Sequence, residues 1–160
     1  MTQRDALPGV HAAPNIQQNP DVYEIENCTA DPDGRIKAAT AALAPWDDCI
    51  VLDLGAGTGF LIARFHAPAR HVVAVEPNGP SRLRAMAPVA AAGLERVSVM
   101  SGSAEQIWLL DGRVDIVHAR FAYFFAPHCE PGLAELARVI RPGGTAFIID
   151  NDLAHGTFAV

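Results

Sequence analysis

The residues of this chain that could do chemistry fall in short stretches, each closing an apolar run. Ile50 to Leu54 is followed by Gly55-Ala56-Gly57-Thr58-Gly59, with Asp53 two residues ahead of the first glycine. An apolar run, alternate glycines and then Phe60, Leu61, Arg64 and Phe65 at helical spacing read as strand, tight loop and helix. That arrangement lets a backbone approach a nucleotide-like ligand closely. Glu76-Pro77 closes a second apolar run, and Ser103 follows a third. His118, Arg120 and Tyr123 lie at the end of a fourth. His118, Tyr123 and His128 are the candidates for a proton acceptor there, and Arg120 is a candidate for binding an acidic group.

Each of these residues has a plainer role open to it. Asp53 could brace or cap the loop, Glu76 before a proline could serve a turn, and Ser103 could cap a helix. His118 reads first as a buried strand-end histidine, Tyr123 as core or pocket wall, and Trp108 as a core or lid residue. For Arg120 a surface salt bridge competes with a ligand contact. Asp115, inside a strand-like run, reads as a structural brace.

The elements that must position these groups alternate along the chain. Strands are expected at Ile50–Leu54, His71–Val75, Arg96–Met100, Val114–His118 and Thr145–Ile149. Helices are expected at Arg35–Leu43, from about Gly59 to His66, at Ser81–Ala92 with a kink or split at Pro88, and at Pro131–Ile140. Ser101–Gln106 reads as a loop that opens a short helix, and Phe121–Phe125 as a helical turn or pocket wall. Residues 1 to about 20 read as a loose arm, and Asp21–Asn27 as a short helical turn. Unbroken apolar strands alternating with helices imply a doubly wound α/β fold with a mostly parallel sheet. Right-handed crossovers put the ligand at the carboxyl ends of the strands, where Asp53, Gly55, Glu76, Ser103, His118 and Arg120 converge.

Composition narrows the function classes. The chain has 160 residues, half of them hydrophobic, with a formal charge of -6. That length suits one domain. The acidic balance and the absence of a lysine/arginine row argue against a nucleic-acid partner. Three dispersed cysteines fit a reducing compartment and form no metal motif. No apolar segment reads as a secretory signal or a membrane span, so the expected location is the cytoplasm.

Asp53-Leu54-Gly55-Ala56-Gly57-Thr58-Gly59 resembles the first motif of the class I S-adenosylmethionine-dependent methyltransferases. The dinucleotide fingerprint places its third glycine one residue later, which disfavours a nicotinamide-linked oxidoreductase, and no P-loop lysine follows. Leu136 to Gly144 resembles the segment leading into that family's fifth strand, and the likeness covers roughly residues 35 to 150. The resemblance implies S-adenosyl-L-methionine as cofactor. It implies that Gly55, Ala56, Gly57 and Gly59 admit the methionine part and that Asp53 faces the ammonium. It implies that Glu76, with Pro77 beside it, takes the ribose hydroxyls, and that Ser103, Ala104 and Glu105 lie along the adenine. The family often has an aspartate where Ser103 stands. Arg120 is then a candidate for the cofactor's carboxylate. The aminomethyltransferase Asn/Asp-Pro-Pro-Tyr/Phe signature is absent after the fourth strand, which points to a small-molecule acceptor.

The implied organisation is an N-terminal arm, residues 1–30, acting as a lid, and a methyltransferase-like domain, residues 31–160. The family's sheet carries an antiparallel strand pair beyond the fifth strand, and this sequence stops ten residues after Asp150. An open edge on the fifth strand is therefore expected, and with it a homodimer through that edge. A non-catalytic cofactor-binding or interaction module is the competing reading of a different class.

Overall fold

A computed structural model describes residues 19–65, 68–91, 93–124 and 128–150. The expectations for the arm before Asn19, for His66, Ala92 and Phe125, and for the last ten residues lie outside the described residues. Asn19 accepts the Val22 N–H and Pro20 follows it at the first helical position, a start signal that opens α1, Pro20–Ala30. This is a full helix where a short turn was expected. The Asp31 carboxylate then accepts the Ile36 and Lys37 N–H groups and starts α2, Arg35–Leu43. The buried residue of α2 is Thr40, whose hydroxyl bonds back to the Ile36 and Lys37 carbonyls, while Leu43 is exposed.

The rest of the chain alternates: β1 (Ile50–Leu54), α3 (Phe60–Phe65), β2 (His71–Val75), α4 (Gly79–Ala91), β3 (Val97–Met100), β4 (Val114–Arg120), α5 (Glu130–Val139) and β5 (Ile140–Ile149). The strands form one sheet in the order β3-β2-β1-β4-β5, with every pairing parallel. The doubly wound α/β fold is therefore as expected. The order reverses between β1 and β4, and ligands of such sheets bind beyond the strand ends at that point.

Strand alternation sends side chains to two cores. Leu52, Leu54, Val73, Val75, Val117 and Ala119 pack with Leu136 and Val139 of α5 on one face. Val51, Val72, Ile116 and Phe147 pack with Trp46, Phe60 and Leu61 on the other. Asp53, His118 and Arg120 share the parity of the second face, so that face turns polar as its strands reach their carboxyl ends.

Other differences from the expected elements have local causes. Pro88 neither splits nor ends α4, which runs continuously from Gly79 to Ala91. Pro88 is exposed, so the carbonyl it leaves without an N–H partner can be hydrated. No helix follows Ser101–Gln106: Ser103 and Gln106 exchange backbone hydrogen bonds in a tight bridge. Trp108 is 63% exposed and is not a core residue. Phe121 and Tyr123 take left-handed backbone, φ 53 and 56, so the segment after β4 is irregular and not helical. β5 starts at Ile140, directly after α5, and absorbs Arg141-Pro142-Gly143-Gly144 through a register shift against Val114 and Ile116. Asp115 is the brace it was read as: it accepts the Ile50 N–H and the Arg141 guanidinium, tying β1, β4 and β5 together at their amino ends. Partial burial raises the Asp115 pKa, but those two partners outweigh it and hold the carboxyl below its usual range.

Candidate active site

The glycine loop turns on its own backbone. Gly55 and Ala56 donate to the Val75 carbonyl, which pins the loop to the end of β2. Gly55 has φ 73, and a Cβ there would stand 2.5 Å from the Ala122 Cβ. Gly57 and Gly59 are also left-handed, φ 56 and 84, and a Cβ at Gly59 would press on Ala85 of α4. Left-handed backbone and close packing on Ala122 and Ala85 therefore require glycine at these positions.

Glu76 stands at the end of β2 and is 5% exposed. One carboxylate oxygen accepts the Gly57 N–H at 2.8 Å and the other the Asn78 N–H at 2.7 Å. Burial pushes its pKa up, and the two N–H donors oppose that rise without cancelling it. Arg82 reaches back to the Glu76 and Pro77 carbonyls, and the Asn78 side chain accepts the Ser81 N–H, so the turn after β2 is tied to the start of α4. Pro77 is half-buried beside this turn.

On the far side of β2, Ser103 and Ala104 are buried in the bridge that follows β3. Glu105 is half-buried beside Tyr123, and its carboxylate together with burial pushes the Tyr123 phenol pKa up. The Tyr123 ring lies against Gly132 of α5, where a Cβ would be 2.3 Å from it.

On the other side of the loop, Asp53 is a register partner of His118 across β1 and β4, and both are fully buried. His118 stacks edge-on against Trp46 at 5.9 Å. His118 is thus a buried strand-end histidine. Arg120 is 3% exposed, which rules out a surface salt bridge. Its guanidinium carbon lies 5.6 Å from the Phe60 ring centre and 5.3 Å from that of Phe121. Burial lowers its pKa, while Tyr23, Asp53 and Asp31 support its charge. His128 is exposed.

α1, part of the arm expected to act as a lid around Tyr23, supplies to this cluster Glu24 and Asn27, which the sequence reading did not single out. Glu24 bonds the Thr58 hydroxyl of the glycine loop, and Asn27 accepts from Arg120. Tyr23 lies among them; burial raises its pKa, and Asn27 and Arg120 work against that rise. The available signal was Asn19-Pro20-Asp21, which opens a helix and puts positions 23, 24 and 27 on adjoining parts of its surface.

The methyltransferase domain family model matches residues 51–144, from the second residue of β1 into β5. The chain belongs to this methyltransferase domain family. S-adenosyl-L-methionine is the cofactor that membership of this family implies. An uncharacterized methyltransferase of Mycobacterium tuberculosis is 39% identical over 101 residues, 63% of this chain and 39% of that protein. The ubiquinone/menaquinone biosynthesis C-methyltransferase of Rubrivivax gelatinosus is 36% identical over 94 residues, 59% of this chain and 36% of that protein. The chain thus spans well under half the length of these relatives. Among solved structures, a SAM-dependent methyltransferase from Aquifex aeolicus shares the fold, with a TM-score of 0.60 and 23% identity over 74% of this chain and 68% of that one. Among the described residues, no helix is long and apolar enough to cross a membrane.

The residues of the methyltransferase domain fit the cofactor. Gly55 lets the loop turn against Ala122, where a Cβ has no room, and so keeps the chain tight beside Glu76. The buried Glu76 carboxylate, with one N–H on each oxygen, keeps further lone pairs for hydroxyl donors.

Proposed function

We propose that this chain transfers the methyl group of S-adenosyl-L-methionine to a small-molecule acceptor. The observation that carries this reading is the buried Glu76 carboxylate, held by two backbone donors beside a glycine loop with no room for side chains. In this reading Gly55, Ala56, Gly57 and Gly59 admit the methionine part, and Asp53 faces its ammonium. Glu76 takes both ribose hydroxyls, with Pro77 fixing the turn behind it. Ser103, Ala104 and Glu105 line the adenine, and Arg120 receives the carboxylate.

The bound cofactor supplies an electrophilic methyl group on a sulfonium. The chain's own task is then to hold the acceptor in line and exclude water. His118 is too buried to act on an acceptor. Tyr123, its phenol kept protonated by burial and Glu105, is a hydrogen-bond donor and pocket wall and not a base. We assign no general base. Residues 1–30 are the arm and lid, with α1 as its described part, and residues 31–160 are the methyltransferase domain.

The acidic charge and lack of a basic row favour a small acceptor over nucleic acid. Free Cys28, Cys49 and Cys129 suit the reducing cytoplasm. β5 lies at one edge of the sheet with Ile148 44% exposed, and a second copy is proposed to pair there. Light scattering should give a mass rising towards a dimer with concentration; a monodisperse monomer would remove the pairing. Turnover is tested by following S-adenosylhomocysteine release with a panel of small oxygen, nitrogen and carbon nucleophiles. Acceptor-dependent release supports methyl transfer. Tight cofactor binding with no release on any acceptor would favour the non-catalytic module.

A further inference from the structure

Strand order sets the order of contacts along a bound cofactor. Ser103 and Ala104 follow β3, Glu76 ends β2, the glycine loop ends β1, and Arg120 ends β4. With the adenosine over β3 and β2, the amino-acid end of the ligand reaches β1 and β4, where Arg120 stands. α1 crosses at this end. Glu24 holds the Thr58 hydroxyl, Asn27 holds Arg120, and at the rim Asp21 pairs with Arg84 of α4 at 2.8 Å.

Asn27 is 5% exposed, and its orientation is fixed from both sides. Its amide nitrogen donates to the Tyr23 carbonyl at 3.1 Å, which turns its oxygen towards the Arg120 guanidinium. Phe60 and Phe121 flank the same guanidinium. A planar, forked cation held in this way is prepared for a carboxylate.

We propose that Asn27 of α1 is a positioning residue that aims Arg120 at the cofactor's carboxylate. This rests on the reading of the site as an S-adenosylmethionine pocket. The Asn27–Arg120 contact is selective by construction: it serves ligands that carry the amino-acid group, and it leaves the adenosine contacts after β2 and β3 untouched.

Calorimetry on the full chain with two probes tests this. S-adenosylhomocysteine carries the amino-acid end, and 5′-methylthioadenosine lacks it. Asn27→Ala should weaken S-adenosylhomocysteine by about tenfold to a hundredfold, the loss typical of a hydrogen bond to a charged group. It should leave 5′-methylthioadenosine within roughly twofold, since none of the adenosine contacts is removed. Asn27→Asp, which loses the donor to Tyr23 and sets a second carboxylate on Arg120, should likewise weaken S-adenosylhomocysteine and spare 5′-methylthioadenosine. Equal loss for both probes would assign Asn27 a general structural role and overturn the proposal, as would no loss for either. If Asn27→Ala does not fold, Asn27→Ser carries the same comparison, because its shorter polar side chain withdraws the acceptor from Arg120. A wild-type chain that binds neither probe would instead defeat the reading of the pocket itself.

Discussion

Glu76 combines deep burial with two backbone donors, and the two act in opposite directions on its proton. The net pKa is raised, so the folded state binds this proton more tightly than the unfolded chain. Its contribution to stability is then fully present below the ordinary carboxylate range and is lost as pH rises through the raised value. Thermal melts of the empty protein from acid to neutral pH should show wild type losing ground to Glu76→Gln as pH rises. A pH-independent difference between the two would contradict the raised value. The same substitution should weaken S-adenosylhomocysteine by about tenfold or more, because one of the carboxylate acceptors becomes a donor. Glu76 was legible in the sequence because it closes an apolar run ahead of a proline. Glu24 and Asn27 were not, since their partners Thr58 and Arg120 lie far along the chain and only folding brings them together. The burial of Arg120 was hidden for the same reason: its cover comes from α1.

At the scale of elements, the glycine loop and α4 give separable tests. Gly55→Ala would put a methyl group in left-handed backbone and against Ala122. It should cost about 1–3 kcal/mol of stability by denaturant unfolding, and it should abolish cofactor binding. Unchanged stability and affinity would show that the loop does not need its bare backbone. Pro88 is carried inside α4 on an exposed face. Pro88→Ala should raise stability by about 2 kcal/mol, less than the full cost of a helix-interior proline because alanine also frees the unfolded chain. A neutral or destabilising result would mean that the proline suits α4 as built. The five strands and their apolar character were readable from runs of β-branched residues. The continuity of α4 was not, because local preference speaks against it and packing on the sheet overrides it. The start of β5 was missed because Pro142-Gly143-Gly144 reads as a stop, yet pairing with β4 carries the strand through it.

At the scale of the molecule, the position of the site follows from topology. Parallel strands in the order β3-β2-β1-β4-β5 bring Ser103, Glu76, the glycine loop and Arg120 into one row, and α1 lies across its β1–β4 end. The family match covers this row as far as β5, whereas the contacts from α1 lie outside it. The strand-end row is therefore the shared part of the fold, and the contacts from α1 are an addition to it. The central claim is a pocket for S-adenosylmethionine and not for a nicotinamide dinucleotide. Calorimetry and thermal shift with S-adenosylhomocysteine and NAD test it directly. S-adenosylhomocysteine should bind one to one and, at about 100 times its dissociation constant, add on the order of 2.7 kcal/mol of stability. NAD should give neither heat nor shift. Binding of NAD with no response to S-adenosylhomocysteine, or no response to either, would contradict the account.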